Sequence, residues 1–364
     1  MRYKSVIFAV HESIKNMGNF REYLIDNTDY LMTFHFPHGY LPKPSYIEIY
    51  KKSNLIKRKE FSRYKGKSNI IKLLLYYCYF YYAVLRFGKN GSFVIVENPV
   101  FCVLNGCITF FKKTKFVFWV GDYFPQNSGF MWFYNKLADF YNKTLKYVIY
   151  VSPTTFEVYR KRAPQGKNQF RKVISLGMKK NFSAIKLKKN KIILGFIGVI
   201  REHQGLDLVF KLLEKENYTL EIIGSGYSLN HYKKLAGKLK ITKKIRFYGF
   251  VKDPSQILRK WAIGLALYED RADNVSKYCE PVKIKDYLAY GLPVITTRTT
   301  YMYKELEKYK AGEIVDENTQ GLGRAIRKIE NNYKAYELGI KEMLKDYEYQ
   351  KWYKNHLSFL ESKR

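Results

Sequence analysis

The sequence is poor in the residues that build disulfide frameworks and metal sites. It has four cysteines, Cys78, Cys102, Cys107 and Cys279, and six histidines in 364 residues. The cysteines form no Cys-x-x-Cys pair and lie in apolar stretches, so we expect free, buried thiols in a reducing compartment. No His-Glu-x-x-His motif, Cys/His cluster or Asp-x-Asp motif occurs, which disfavours a resident metal ion, and we expect no cofactor.

Long apolar runs are also missing. The longest spans residues 73–85, which is 13 residues between Lys72 and Arg86, whereas a membrane-spanning helix needs about 20. This segment predicts a buried helix, and its tyrosines make a segment at the membrane interface the second possibility. The first residues have too short an apolar run and no cleavage site for a signal peptide, so we expect a cytoplasmic protein.

Acidic residues are scarce, since 65 Lys and Arg oppose 32 Asp and Glu and leave a net charge of +33. The excess is uneven: residues 1–190 carry 33 basic and 10 acidic residues, a net of +23, and residues 191–364 carry 32 and 22, a net of +10. The densest basic tract spans residues 51–67. A basic N-terminal half predicts an anionic partner, such as a membrane surface, a phosphorylated acceptor or nucleic acid. For the tract itself, a solvated loop is the alternative.

Strands and helices alternate along the whole chain, which is long enough for two domains. Each half predicts an α/β domain with a parallel sheet covered by helices. A polar, basic segment at residues 178–191 separates the halves. We therefore predict an N-terminal domain over residues 1–180 and a C-terminal domain over residues 191–340. A final helix within residues 341–364 is expected to pack back on the first domain.

Three polar residues follow predicted strands of the first half. Ligands of parallel sheets lie beyond the carboxyl ends of the strands, and His11, Glu97 and Asp122 stand at such ends. Asp122 follows the apolar strand Phe-Val-Phe-Trp-Val, where a carboxylate could orient or deprotonate an acceptor hydroxyl. The alternative is an aspartate that caps the next loop.

The second half is organised around residues 280–297, Glu-Pro-Val-Lys-Ile-Lys-Asp-Tyr-Leu-Ala-Tyr-Gly-Leu-Pro-Val-Ile-Thr-Thr. This segment predicts a short helix, a turn and a β-branched strand. Glu280, Lys283 and Asp286 at spacing i, i+3, i+6 would place a cation and two carboxylates on neighbouring parts of one helical surface. The cation suits phosphate, and the carboxylates suit sugar hydroxyls. The alternative is a helix whose charges face water.

Glycines follow three other strands of this half. Gly198 and Gly205 enclose a loop that contains Arg201 and His203, where a ligand could approach the backbone. Gly224 ends the strand Ile-Ile-Gly-Ser-Gly, and Val251 follows the strand Tyr-Gly-Phe. The first loop is not a Walker A motif, because no Gly-Lys-Ser/Thr follows.

Together these motifs resemble the nucleotide-sugar site of GT-B glycosyltransferases of the family 4 type. The family pattern Lys-x-x-Glu-x-x-Ala-x-Gly-x-Pro-Val is matched in register by Lys283, Asp286, Ala289, Gly291, Pro293 and Val294. Asp286 replaces the usual Glu, and Tyr278 stands where the family has an earlier Glu, so that Glu280 is the nearest carboxylate. Gln204 replaces the Lys that usually precedes the second glycine. The resemblance covers about residues 191–320.

The resemblance implies two Rossmann-like α/β domains that face each other across a cleft. The second would bind a nucleoside diphosphate sugar through Gly198, Arg201, Gly224, Val251, Lys283 and Asp286. The first would bind a glycan or lipid-linked acceptor, with His11 and Glu97 as acceptor-side candidates. Asp122 and Glu280 would be catalytic.

The implied activity is metal-independent hexosyl transfer, with retention of configuration, in cell-surface polysaccharide or glycoconjugate synthesis at the inner face of the membrane. Two alternatives remain open. One is a GT-B-like sugar-nucleotide epimerase, which needs no second sugar. The other is a basic RNA-binding protein with aromatic platforms. The sequence contains no RNA-binding signature, so nucleic acid is not the expected partner.

Overall fold

The computed structural model describes residues 2–11, 19–37, 44–62, 66, 69–125, 129–181 and 192–360. The chain forms two compact units. The first comprises Met1–Gly177 and Tyr349–Arg364, and the second comprises Met178–Glu348. Most of the predicted linker, residues 182–191, lies outside the described residues. The predicted boundary at residue 341 falls inside a helix of the second unit, and the segment that belongs to the first unit starts at Tyr349.

The first unit contains an eight-stranded sheet. Its strands are β1 (Val6–His11), β2 (Tyr30–Phe36), β3 (Tyr46–Lys51), β4 (Asn54–Glu60), β5 (Phe93–Val96), β6 (Lys115–Val120), β7 (Tyr147–Tyr150) and β8 (Phe170–Val173). They lie in the order β4-β3-β2-β1-β5-β6-β7-β8. The six consecutive strands β2-β1-β5-β6-β7-β8 are parallel, as predicted. At the other edge, β3 is antiparallel to both β2 and β4.

The antiparallel edge gives the first part of the basic tract a regular structure, contrary to the loop that was the alternative interpretation. Its first ten residues are no irregular loop, because they form the end of β3, a two-residue turn and β4. The turn residues Lys52 and Ser53 adopt φ of 48° and 72°, the left-handed conformation that matches the twist of a tight hairpin. Lys57 and Lys59 place their ammonium groups 4.6 and 5.7 Å from the Phe87 ring centroid. Charged side chains thus occupy the edge strand of the sheet, where they discourage pairing with other chains.

Helices cover both faces of this sheet. Helices α1 (Phe20–Asn27), α2 (Asn69–Phe87), α3 (Asn105–Lys112), α4 (Gly129–Thr144) and α5 (Pro153–Arg162) precede the second unit. Helices α2 to α5 pack on one face, and α1 packs on the other with the C-terminal helix Tyr349–His356. There the Phe20 ring centroid lies 4.3 Å from that of Trp119 and 5.0 Å from that of Tyr353. Among the helices that are described, none is long and apolar enough to cross a membrane.

The cysteine prediction is correct only in part. All four cysteines are free, and Cys102 is buried. Cys78 on α2 and Cys107 on α3 are exposed, because no other part of the described chain covers the outward faces of these two apolar helices. For these two cysteines, an apolar sequence environment therefore wrongly predicted burial.

The second unit contains a six-stranded parallel sheet. Its strands are β9 (Ile193–Ile197), β10 (Thr219–Ile223), β11 (Ile245–Gly249), β12 (Ile263–Ala266), β13 (Val294–Thr296) and β14 (Gly312–Ile314), in the order β11-β10-β9-β12-β13-β14. Its helices are α6 (Leu206–Lys215), α7 (Leu229–Lys238), α8 (Ser255–Leu258), α9 (Val282–Ala289), α10 (Met302–Tyr309), α11 (Thr319–Asn331) and α12 (Tyr333–Asp346). The strand order reverses between β9 and β12, which is where parallel sheets place their ligands.

Two aromatic rings fix α9 at this reversal. A Cβ atom at Gly264 would lie 2.3 Å from the ring of Tyr287, and one at Gly195 would lie 1.8 Å from the ring of Trp261. The Tyr287 hydroxyl accepts a hydrogen bond from the Ile197 backbone N–H at 3.0 Å and donates one to the Leu265 carbonyl at 3.1 Å. Helix α9 is thereby tied to the ends of β9 and β12.

Candidate functional site

Glycines build a close backbone contact at the carboxyl ends of β9, β10 and β11. The N–H of Gly198 donates to the Ile223 carbonyl at 3.0 Å, and the N–H of Gly224 donates to the Gly249 carbonyl at 2.8 Å. Gly198 and Gly224 have φ of 143° and 133°, and a Cβ atom at Gly224 would lie 1.9 Å from the Gly198 carbonyl oxygen. Only glycine fits these positions, so the strand ends present bare backbone.

Lys283 lies directly over this backbone. A Cβ atom at Gly198 would lie 3.5 Å from the Lys283 Cε and 3.6 Å from its Nζ. The Nζ donates a hydrogen bond to Gln204 Oε1 at 2.6 Å and lies 4.2 Å from the centroid of the Phe196 ring. Burial and the positive charge of Arg201 lower the pKa of Lys283 to about 7. An anion bound beside the ammonium group would favour its charged form.

Arg201 is the second cation of the site. Like Lys283, it donates a hydrogen bond to a neutral side chain. Its Nη2 donates to Ser276 Oγ at 3.2 Å, and Gln204 Nε2 approaches the same oxygen at 3.5 Å. Gln204 and Ser276 are 4% and 3% exposed. Among the described residues these hydrogen bonds engage no carboxylate, so the positive charge of both side chains stays available to an anion.

Asp286 and Val251 complete the predicted donor set. Asp286 lies one turn after Lys283 on α9 and is exposed. Desolvation by the surrounding protein nevertheless raises the pKa of its carboxyl group to about 6. Val251 follows β11 and is half-buried, next to Phe250, which is 82% exposed.

A second polar cluster lies at the carboxyl ends of β1, β5 and β6 in the first unit. It contains the three strand-end residues His11, Glu97 and Asp122, each half-buried. Burial and the negative charge of Asp122 raise the pKa of Glu97 to about 8, against a hydrogen bond from the His11 backbone that lowers it. The negative charge of Asp122 therefore reaches Glu97 and disfavours the ionisation of its carboxyl group.

The comparisons with known proteins identify this architecture. Residues 178–346 match the family model of glycosyl transferases group 1. The chain is structurally similar to HepE of Anabaena in complex with UDP, with 12% identity, 99% of this chain and 100% of that chain covered and a TM-score of 0.66. It is also similar to sucrose-phosphate synthase of Thermosynechococcus elongatus, with 13% identity, 98% of each chain covered and a TM-score of 0.70.

A third similar structure is a Staphylococcus aureus TarM mutant in complex with fondaparinux, α-GlcNAc-glycerol and UDP. Identity is 15%, 87% of this chain and 74% of that chain are covered, and the TM-score is 0.63. No curated protein matches the sequence. The chain carries a group 1 glycosyltransferase domain on the GT-B fold. The predicted family and fold class are therefore confirmed.

In this glycosyltransferase Glu280 does not share a surface with Lys283 and Asp286, contrary to our expectation. Helix α9 begins at Val282, after Pro281, so Glu280 precedes the helix and does not follow its periodicity. Its Oε1 lies 2.6 Å from Lys285 Nζ, and Oε2 accepts a hydrogen bond from the Tyr301 hydroxyl. The Glu280 and Lys285 side chains are 3% and 4% exposed. These contacts indicate a buried structural ion pair, which corrects the expected surface shared with Lys283 and Asp286, and the catalytic role of Glu280 stays a prediction.

Other residues of the glycosyltransferase site were missed or differ from their predicted environment. His203, with φ of 63°, places its Nδ1 2.6 Å from Glu269 Oε2, so it faces a carboxylate. Gln204 and Ser276 were not predicted to position the two cations, because nothing in the sequence links residues so far apart. The sequence also did not indicate that Tyr134, on α4, lies near the polar cluster of the first unit. Burial, with the charges of Asp122 and Glu97 among the causes, raises its pKa well above the ordinary value.

Proposed function

We propose that the enzyme transfers a hexosyl group from a nucleoside diphosphate sugar to a hydroxyl of a glycan or lipid-linked acceptor. The second unit would bind the donor and the first unit the acceptor. The observation that carries the proposal is the bare backbone at Gly198 and Gly224 beneath Lys283. The charge of Arg201 reaches Lys283, and neutral side chains hold both cations in place. This arrangement offers backbone and positive charge to a diphosphate.

The chemistry follows from these groups. The bond between the anomeric carbon and the diphosphate oxygen breaks, a bond to the acceptor oxygen forms, and the acceptor hydroxyl loses its proton. Lys283 and Arg201 would stabilise the negative charge that develops on the leaving diphosphate, in place of a metal ion. Asp122 would orient the acceptor hydroxyl or take its proton. Asp286 would accept hydrogen bonds from the ribose. Family resemblance favours retention of configuration.

Similar structures suggest where to look for the substrates. HepE and TarM are described with UDP, the pneumococcal O-GlcNAc transferase GtfA with UDP and GlcNAc, and WaaG as an enzyme of lipopolysaccharide biosynthesis. We therefore place UDP-sugars first among the donors. We also place the reaction in cell-surface polysaccharide or glycoconjugate synthesis, at the cytoplasmic face of a membrane. The basic first unit supports a peripheral association with an anionic surface.

The test is a thermal-shift screen against UDP-, GDP-, dTDP- and ADP-sugars, because a ligand that binds the folded state raises apparent stability. Lys283→Ala should then weaken binding of the best donor by roughly 1.5–3 kcal/mol, through loss of a charge-assisted contact. Asp286→Ala should weaken it without a loss of fold stability. Lys277→Ala, which removes an exposed lysine paired with Asp270, is the control. If both site variants bind every donor as the wild type does, the site is misassigned.

A further inference from the structure

Large apolar side chains are exposed mainly in the first unit. Among the described residues, the exposed ones there are Leu55, Ile56, Ile71, Leu74, Tyr82, Leu85, Val103, Leu104, Phe110, Phe111, Phe130, Trp132, Phe133 and Phe140. Twelve of these fourteen follow β4, and they lie on α2, α3, α4 or the residues just before α3. Such a contiguous apolar area on a folded protein marks an interaction surface.

Helix α2 is apolar on both sides. Its inner face, including Tyr77, Phe80 and Val84, belongs to the core. Its outer face carries Ile71, Leu74, Cys78, Tyr82 and Leu85, all exposed. Their spacing of three and four residues aligns them in one stripe along the helix. A helix that is apolar all round normally has both sides covered, and the described residues cover only one side of α2.

Helices α3 and α4 extend the same surface. Phe110 and Phe111, on α3, are 80% and 69% exposed. The exposed aromatic residues of α4 are Phe130, Trp132, Phe133 and Phe140. All three helices pack inward on the same face of the sheet, and α2 contacts α3, while the 3-10 helix Pro99–Cys102 contacts both α2 and α4. Their outward faces therefore belong to one side of the unit, which we call the outer layer.

The outer layer carries many more basic than acidic residues. The sequence contains no acidic residue from position 61 to 96, and α2 and α3 contain none. Asp139 is the acidic residue of α4, and it pairs with Arg162 at 2.8 Å. Arg86, Lys113, Lys136 and Lys143 are exposed on or beside these helices. The surface is thus aromatic and aliphatic, with interspersed cations.

We propose that the outer layer lies in the interfacial region of an anionic lipid bilayer, with Phe110 and Phe111 inserted among the acyl chains. Aromatic side chains favour the membrane interface, and lysine and arginine attract anionic headgroups. This inference deepens the proposed membrane association by assigning its surface and its apolar contribution. It does not depend on donor chemistry, which lies in the second unit.

Charge favours a bilayer over a second copy of the chain. A twofold contact between two outer layers would place the same cationic surface against itself, with like charges and no acidic residue of α2 or α3 to oppose them. An anionic bilayer supplies both the negative charge and the apolar interior. The occupant that we infer is therefore lipid.

The test measures binding of the full-length protein to vesicles of phosphatidylcholine with about 30% phosphatidylglycerol, by co-sedimentation in 0.1 and 1 M NaCl. At 1 M salt the Debye length falls to about 3 Å, so purely electrostatic binding should disappear. We expect wild-type binding to persist at high salt. The double variant Phe110→Ser/Phe111→Ser should bind about tenfold or more weakly, because two large apolar side chains no longer move from water into the bilayer.

The control is Leu338→Ser, which removes a side chain that is 55% exposed in the second unit and should leave binding unchanged. Donor binding and thermal unfolding of the double variant should match the wild type, because both phenylalanines are exposed. If neither the wild type nor the variants bound any donor, the proposed function would be contradicted, and the lipid result would still be valid. Loss of wild-type binding in 1 M salt, or equal binding by the double variant, would overturn the proposal. So would a wild-type dimer that the double variant abolishes, which would assign the layer to self-association.

Discussion

The two units of this enzyme differ in how they present apolar surface and charge. The first exposes fourteen large apolar side chains among its described residues, and the second exposes five, Val199, Tyr227, Phe250, Val282 and Leu338. Residues 1–190 carry a net charge of +23 and residues 191–364 a net charge of +10. The family model matches only the second unit.

The difference between the units indicates which kinds of functional site leave a motif in the sequence. The proposed donor site of the second unit depends on backbone geometry, which requires glycine at Gly198 and Gly224 and therefore leaves a recognisable sequence pattern. The polar cluster and the outer layer of the first unit are made of side chains on separate elements. Many sequences could build either one, so no short motif marks them.

The largest expected effect concerns the carboxyl groups of the first unit. Asp122→Asn keeps the size and hydrogen bonding of the side chain but removes its basicity, so turnover should fall by about 10²–10⁴. Donor affinity should stay unchanged, because the donor residues belong to the other unit. Steady-state kinetics and donor titration measure both. Asp29→Asn, at an exposed residue of the same unit, is the control, and a wild-type rate for Asp122→Asn would leave Asp122 as a loop cap.

The second prediction separates a structural carboxylate from a catalytic one. Glu280→Gln removes the carboxylate that pairs with the buried Lys285, and removal of one partner of a buried pair costs about 3–5 kcal/mol. We expect this loss in urea unfolding of the second unit. Glu307→Gln breaks the exposed pair with Arg298 and should change stability by less than about 1 kcal/mol. A Glu280→Gln protein with wild-type stability and impaired transfer would place Glu280 among the catalytic residues.

The third prediction concerns the protonation of Lys283, whose pKa is about 7. Because a diphosphate binds the charged form, binding above pH 7 must take up a proton, and affinity should fall by up to about tenfold per pH unit from pH 7 to 8.5. Calorimetric titration with UDP in buffers of different ionisation enthalpy measures the uptake. Lys283→Arg stays charged over this range and should bind with little pH dependence. A flat wild-type profile would contradict the assignment.

The smallest expected effect concerns the basic edge strand. Lys57→Gln/Lys59→Gln should weaken binding to anionic vesicles by up to about 1 kcal/mol per charge, and binding to neutral vesicles should not change. Lys328→Gln, at an exposed lysine of the second unit, is the matched control. Equal loss on both kinds of vesicle would indicate misfolding, and no loss would leave β4 as an ordinary charged sheet edge.

The sequence predicted the two α/β halves because apolar strands and turn residues alternate regularly. It also predicted Lys283 and Arg201 as cations near glycine turns, and the structure brings them to the same strand ends. The sequence did not predict which way the Glu280 side chain points, because that depends on the residue at which α9 begins. The helix begins after Pro281, so Glu280 lies outside it. The β3–β4 hairpin was also missed, because Lys52 and Ser53 are unusual residues for a turn that requires positive φ.

The C-terminal helix has a consequence for how the chain is made. Tyr353 completes the aromatic contacts with Phe20 that cover one face of the first sheet, yet it is synthesised after the entire second unit. During translation the second unit can fold as soon as it emerges, because domains fold as units. One face of the first sheet stays partly uncovered until the C-terminal helix has been synthesised. A ribosome that stalls near residue 348 would therefore display a folded second unit and an incomplete first unit that chaperones should still recognise.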